Sequence, residues 1–231
     1  MWLKSRMIQR LGGGRLERLL IGTVSRIELM VLGTHKEPGP LRLIRQVRRE
    51  RKSLLTANES FILYSLARSL ARRPGQMAEV GVFEGASARI LCELKGDKTL
   101  HLFDTFEGLP QSTGADGDVH RKRQYECTVA SVQKYLQAYD HVVFHKGRFP
   151  ESTHDVEPAS YCFVHLDVDL YESTLDALKY FYPKMAPGGI LISHDYSVLR
   201  GVRQAFDEFL ADKPKQVIEL PTTQCMFIRL G

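Results

Sequence analysis

From Met77 onward, short apolar runs alternate with helix-period segments five times, and that rhythm admits few folds. The runs 77–82, 99–103, 141–145, 161–166 and 190–193 read as strands. They are apolar almost continuously rather than at every second residue, as expected of strands covered on both faces. Helical segments between them, 129–139, 174–182 and 198–210 among others, supply the covering layers. The expectation is an α/β, Rossmann-like sheet, mostly parallel, with helices on both sides. Two last runs, 216–220 and 224–229, are joined by Pro221-Thr222-Thr223 and predict a C-terminal antiparallel hairpin.

Ahead of this unit lie segments of helical character only. Leu16, Leu19, Leu20, Val24, Ile27 and Val31 recur at helical spacing after the Gly12-Gly13-Gly14 break. A turn-rich connector, His35 to Pro40, leads into a basic helix ending near Glu50. A third helix carries Phe61, Ile62, Tyr64, Leu66 and Leu70, with Asn58 as its expected cap and Arg73-Pro74-Gly75 as its stop. Residues 1–75 are thus expected to form a helical cap or an oligomer interface, and residues 76–231 a ligand-binding domain.

Charge is uneven. Residues 1–52 hold 13 Lys+Arg and 4 Asp+Glu, a net +9, whereas the whole chain is only +5. A basic arm can meet an anionic membrane or partner, but a solvated helical face is the simpler expectation. No aromatic residue after Trp2 interleaves with these charges, which argues against nucleic acid. Cys92, Cys127, Cys162 and Cys225 lack metal-type spacing and read as reduced thiols, the pattern of a cytoplasmic protein. No apolar run approaches the roughly 18 residues of a membrane span.

Ligands of open parallel sheets bind at the carboxyl ends of the strands, so the residues there form a natural set. The first strand opens into Ala78-Glu79-Val80-Gly81-Val82-Phe83-Glu84-Gly85-Ala86-Ser87. Glycines at this point let a backbone with free N–H groups approach a ligand. Phe83 and Glu84 would obstruct and repel a pyrophosphate, whereas Glu79 and Glu84 suit a ligand carrying an ammonium and a sulfonium. The second strand delivers Asp104, Thr105 and Phe106; Asp104 follows Gly85 by about 20 residues, the spacing of a ribose-binding acid. The third delivers Gly147 and Phe149, the fourth Asp167 and Asp169, the fifth His194 and Asp195. Asp167, His194 and Asp195 are candidate ligands of a divalent ion, which would lower the pKa of a substrate hydroxyl. Asp169 has a capping role on the next helix as its alternative, and Asp167-Val168-Asp169 also fits the D-x-D of a metal-dependent glycosyltransferase. His165 and His145 are expected as satisfied interior residues. The long polar passage 108–127, with His120, is expected to serve as a lid.

Four of these blocks, 78–87, 102–110 (Leu-Phe-Asp-Thr-Phe-Glu-Gly-Leu-Pro), 165–174 (His-Leu-Asp-Val-Asp-Leu-Tyr-Glu-Ser-Thr) and 187–196 (Pro-Gly-Gly-Ile-Leu-Ile-Ser-His-Asp-Tyr), resemble in order the macrocin-type (TylF/MycF-like) O-methyltransferase family. The resemblance covers about residues 50–231. It implies a class I methyltransferase fold, S-adenosylmethionine as donor, Mg²⁺ as the usual metal, and a sugar hydroxyl on a small molecule as acceptor. Carried across, Glu79, Gly81, Phe83, Gly85 and Ser87 would line the methionine end of the donor. Asp104, with Thr105 and Phe106, would serve the ribose, Gly147 and Phe149 the adenine, and Thr56 a position near the donor. Asp167 and Asp195 would hold the metal, Asp167 being also the candidate base. His194 stands where the family usually has an acid. It either ligates the metal or serves as the base itself. A methyltransferase fold retained only for binding is the alternative that His194 leaves open.

Overall fold

The computed structural model describes residues 15–110, 114–117, 123–156, 159–213 and 217–230. Among the described residues three helices come first: α1 (Arg15–Leu32), α2 (Pro38–Glu50) and α3 (Ala57–Leu70). Then follow β1 (Gln76–Val80), α4 (Ala86–Cys92), β2 (Leu100–Asp104), α5 (Val129–Leu136), β3 (Val142–Lys146), β4 (Tyr161–Leu166), α6 (Tyr171–Phe181), β5 (Met185–Ser193), α7 (Arg200–Phe209), β6 (Ile218–Glu219) and β7 (Cys225–Ile228). The seven strands form one sheet in the order β3-β2-β1-β4-β5-β7-β6. It is parallel from β3 through β5 and antiparallel at β7 and β6, as the terminal hairpin requires.

Alternation along each strand divides the core. Ala78, Val80, Val164, Leu166 and Leu191 face α6 and α7, packing with Phe149, Phe181, Val202 and Phe206. Met77, Phe163 and Ile192 face the other way, toward Leu63, Ala67 and Leu70 of α3 and Ala88 and Leu91 of α4. The same period of two sends Glu79 and His165 to the α3–α4 side.

Two local readings are corrected. Helix α3 is capped by Thr56 rather than Asn58: the Thr56 hydroxyl accepts from the Glu59 N–H, and the Glu59 carboxylate accepts from the Thr56 N–H at 2.8 Å. The sequence Thr56-Ala-Asn58-Glu59 is a capping box, whose reciprocal bonds outweigh a single asparagine cap. The fifth strand starts at Met185, not Ile190, so Pro187-Gly188-Gly189 lies inside it. There β4 advances from Tyr161 to Phe163 while β5 advances from Met185 to Ile190, an irregularity that only small residues fit. A Cβ on Gly189 would stand 2.9–3.0 Å from three carbonyl oxygens.

The N-terminal helices are tied down. Leu29, Leu32, Leu41, Ile44 and Val47 pack against Ala86 and Ile90 of α4. Arg51 donates to the Ser131 side chain and carbonyl in α5 and lies over the Tyr135 ring. Basic residues of this arm therefore partly serve as internal tethers rather than as a solvated face. Helix α1 leaves Leu19, Leu20, Val24, Ile27, Met30 and Val31 exposed. The four cysteines are free thiols. No helix among the described residues is long and apolar enough to cross a membrane.

Candidate active site at the carboxyl edge of the sheet

Backbone hydrogen bonds continue past the strand ends and align the expected residues along one edge. Gly147 donates to the Asp104 carbonyl, Gly81 to Phe103, Asp167 to Val80 and His194 to Leu166, all at 2.8–3.0 Å. Each strand thus hands its first loop residue to its neighbour, which is why acids and histidines gather in one row.

The turn after β1 differs from the expectation of free N–H groups. Val82 and Phe83 donate to Asp104 Oδ2 at 2.7 and 2.9 Å, Gly81 donates to Phe103, and Gly85 to the Val82 carbonyl. Phe106 donates to Asp104 Oδ1 at 2.7 Å. Asp104 therefore ties two loops together with three of its roughly four acceptor positions and has one left on Oδ1. A pyrophosphate would find these four amides already taken, a second reason why the turn is unsuited to one. The glycines also answer to internal contacts. At Gly81 (φ 88°) a Cβ would overlap the Asp167 carbonyl oxygen, and at Gly85 (φ 79°) it would lie 2.8 Å from a Val132 methyl. Glu84 is not a free anion, for Lys52 donates to it from Nζ at 2.6 Å and from its backbone at 3.0 Å.

Beneath this turn lies a buried pair. Glu79 and His165 are both fully buried, with His165 Nδ1 2.8 Å from Glu79 Oε1. His165 is only half satisfied, contrary to expectation, because its Nε2 has no hydrogen-bond partner; nor has Glu79 Oε2. Burial raises the Glu79 carboxyl above its usual range, against the lowering pull of His165 and the Ser87 hydroxyl. An unpartnered carboxylate oxygen in such a place fits a cationic group.

The ends of β4 and β5 form the second cluster. His194 Nδ1 lies 3.2 Å from Asp167 Oδ1 and 3.1 Å from Asp195 Oδ2. The three residues each offer one ligand atom, all within 4.8 Å of one another. Neither ring nitrogen of His194 completes a well-aligned hydrogen bond, although the ring is buried. An orphaned imidazole nitrogen between two carboxylate oxygens is a donor set that fits a divalent cation. Without one, burial disfavours the imidazolium, but the Asp195, Asp167 and Glu59 carboxylates overcome this and hold His194 well above its usual range. Asp167 is correspondingly lowered: burial opposes its ionisation and His194 outweighs it. Asp169 moves the other way, raised by burial and by the charges of Asp195 and Asp167. Asp167 and Asp169 are thus not the two free carboxylates that a D-x-D site needs. Asp169 does not cap α6 either: the Tyr171 N–H is taken by Asp116 Oδ1 at 2.6 Å, while the cap position is Leu170.

Sequence reasoning missed Glu59. From α3 its Oε2 reaches to 3.4 Å from His194 Nε2, while Oε1 accepts from the Thr223 hydroxyl (2.6 Å) and N–H (3.3 Å) in the β6–β7 turn. The capping-box spacing was the available signal, but nothing in it announces a partner 135 residues away. Other expected donor residues are committed elsewhere. Phe106 and Phe149 are buried, Phe106 packing beside Phe144 and Phe149 against Phe103 and Phe181. The Thr105 hydroxyl donates to the Gly108 carbonyl, and the Thr56 hydroxyl serves its cap. Ser87 is buried in the first turn of α4 beside Glu79. Phe83 (φ 47°) meets the Tyr125 ring edge-on at 5.7 Å. The described ends of the passage 108–127 are joined, Leu109 donating to Gln124 and Arg123 to Leu109; His120 lies outside the described residues.

Known proteins share this fold. The solved structure of the O-methyltransferase NovP superposes with a TM-score of 0.69 at 24% identity, covering 78% of this chain and 82% of that one. The O-methyltransferase TomG from Streptomyces achromogenes, solved with S-adenosylmethionine, covers 90% of this chain and 98% of its own at a TM-score of 0.58 and 18% identity. In sequence, a tetracenomycin-type rhamnosyl 4'-O-methyltransferase of Streptomyces olivaceus is 32% identical over 142 residues, 54% of each chain. The mycinamicin III 3''-O-methyltransferase of Micromonospora griseorubida is 29% identical over 154 residues, 59% of this chain and 60% of its own. The chain therefore spans between half and two thirds of the length of these curated relatives. The sequence model of the family described as macrocin-O-methyltransferase (TylF) matches residues 68–226, from the end of α3 to β7. With well over half of its length matched, the chain belongs to the macrocin-O-methyltransferase family.

Proposed function

We propose that this protein transfers a methyl group from S-adenosylmethionine to a hydroxyl of a sugar or sugar-bearing small molecule, assisted by a divalent ion. The observation that carries the reading is the convergence of Asp167, His194 and Asp195 beside the Gly81–Gly85 turn, in a chain of this family. The named relatives that act on rhamnosyl and mycinamicin hydroxyls support the sugar class.

When bound, S-adenosylmethionine supplies an electrophilic methyl group, and a divalent ion supplies the charge that makes a hydroxyl acidic. In this assignment the turn and the unpartnered Glu79 Oε2 receive the cationic methionine end, and the spare acceptor position of Asp104 takes a ribose hydroxyl. Asp167, His194 and Asp195 hold the metal. Asp167 takes the proton of the acceptor hydroxyl, while His194 is turned toward the two acids. Fixed alignment of the acceptor hydroxyl, held beside Asp167, with a donor held at the turn would supply much of the rate.

Calorimetry with S-adenosylmethionine, then transfer of labelled methyl to a panel of deoxysugar glycosides with Mg²⁺ or Mn²⁺, tests the reading. Micromolar binding and metal-stimulated transfer are expected. Binding without transfer to any hydroxyl acceptor would favour a fold kept for binding alone, and absence of binding would end the donor assignment.

A further inference from the structure

We propose that Glu59 is a positioning residue of this site: it holds His194 with the ring proton on Nε2, so that Nδ1 faces Asp167 and Asp195 as a neutral nitrogen ligand for the metal. The inference rests on the metal-assisted reading above and adds to it a residue from the N-terminal helices.

Three observations carry it. First, the two ring nitrogens have different surroundings. Nδ1 looks at two carboxylates on the strand ends, at 3.1 and 3.2 Å, whereas Nε2 looks at Glu59, at 3.4 Å. A proton on Nε2 therefore meets one carboxylate and leaves the Nδ1 lone pair directed at the oxygens that would share a cation. A carboxylate behind a ligating histidine, fixing its tautomer and ring angle, is the recurring way such a ligand is oriented.

Second, Glu59 is held as an acceptor from three sides. Oε2 accepts from the Thr56 N–H, and Oε1 from the Thr223 hydroxyl and N–H. With every contact a donor, the side chain has no use for a proton of its own. Third, a capping-box glutamate needs only the bond to its N-cap and ordinarily lies at the surface. Glu59 is 3% exposed and is shared by α3, the β6–β7 turn and the end of β5. Burying it for the cap alone would cost more than the cap returns, since a buried charge needs partners beyond its N-cap to offset its desolvation.

The test uses Mn²⁺ as probe in the full-length protein. Electron spin-echo measurements on the wild type should show ¹⁴N coupling from one directly bound imidazole. Glu59→Gln keeps the size of the side chain and should weaken Mn²⁺ binding about 10- to 100-fold, with the ¹⁴N coupling reduced or lost. Glu28→Ala serves as the structural comparator, because Glu28 accepts from the Asn58 N–H at the start of the same helix without touching Glu59. It should lower thermal stability yet leave Mn²⁺ affinity within threefold and the coupling intact. Should Glu59→Gln fail to fold, Thr223→Val, which removes one donor to Glu59, is read in its place, with a fewfold loss expected. Unchanged affinity and coupling in the Glu59 variant, or in Thr223→Val where that stands in, would overturn the role of Glu59. Mn²⁺ bound without ¹⁴N coupling in the wild type would overturn His194 as a ligand. A wild type that binds S-adenosylmethionine but no Mn²⁺ would overturn the metal reading underneath.

Discussion

The turn after β1 and the segment after β5 use similar materials, acids and small residues at the end of a parallel strand, but they treat their polar atoms in opposite ways. In the first, the amides of Gly81, Val82, Phe83 and Gly85 all have acceptors, and Asp104 accepts from three donors. In the second, both ring nitrogens of buried His194 lack a well-aligned partner, and three acids crowd around it. A buried polar group left without a partner costs roughly 1–3 kcal/mol, so such a cluster persists only where something else requires it. The glycine turn, which dominates the sequence, is largely scaffold. The proposed chemistry lies in the part that folding leaves short of partners.

Gly81→Ala is the sharpest way to break this contrast. The added Cβ would overlap the Asp167 carbonyl oxygen, and φ 88° is strained for any L side chain. Neither β1 nor β4 can retreat without breaking the ladder that joins them. A loss of more than about 4 kcal/mol is expected in urea titrations, the range reserved for core disruption. A loss under about 1 kcal/mol would mean that Gly81 serves ligand approach and not strand packing.

Much of this was legible beforehand, for identifiable reasons. β4 was read with its observed ends, Tyr161 and Leu166, because an unbroken apolar run between turn residues admits little else. The terminal hairpin and the assembly of Asp167, His194 and Asp195 followed from topology alone, since parallel strands put all their carboxyl ends on one edge. What stayed hidden was long-range pairing. Nothing local shows that Lys52 neutralises Glu84, that Asp116 rather than Asp169 serves Tyr171, or that Glu59 reaches His194. The resemblance assigns Phe106 to the ribose and Phe149 to the adenine; both rings lie in the core, into which a large apolar ring beside it is usually drawn.

Two acids sharpen the comparison further. Asp104→Ala leaves three N–H groups without acceptors and should cost about 3 kcal/mol of stability, the lower end of what three such groups lose. Asp195→Asn takes one charge from a crowded cluster, relieving its repulsion with Asp169 while weakening its attraction to His194. Its stability should therefore change by no more than about 1 kcal/mol, because these terms oppose each other. Methyl transfer by the same variant should fall about 100-fold, equivalent to about 2.7 kcal/mol in the barrier. Chemical denaturation and initial rates on both variants decide it: an Asp195 variant that loses stability while retaining turnover would make the second cluster scaffold too.

The smallest effect concerns a histidine pair on the satisfied side of the comparison. His101 Nδ1 and His145 Nε2 are 3.0 Å apart, and the rings stack beside Phe103. Burial, with His145 adding to it, lowers His101 from 6.5 to about 4. Between those values the unfolded chain binds a proton that the folded chain does not, so acidification favours unfolding. The contribution is fully present above pH 6.5 and is lost as the pH falls toward 4. His101 is partly exposed, and discounting for solvent leaves a loss of about 1–2 kcal/mol. His101→Phe keeps the stacking with Phe103 but cannot titrate. Its stability at pH 7 should be at or below that of the wild type, and the difference should shift in its favour by that amount between pH 7 and pH 4.5. Parallel curves for the two proteins would mean that the folded pair accepts a proton as readily as the unfolded chain. The pair would then hold a polar group poised to titrate, as the His194 cluster does, and the line drawn between scaffold and site would have to move.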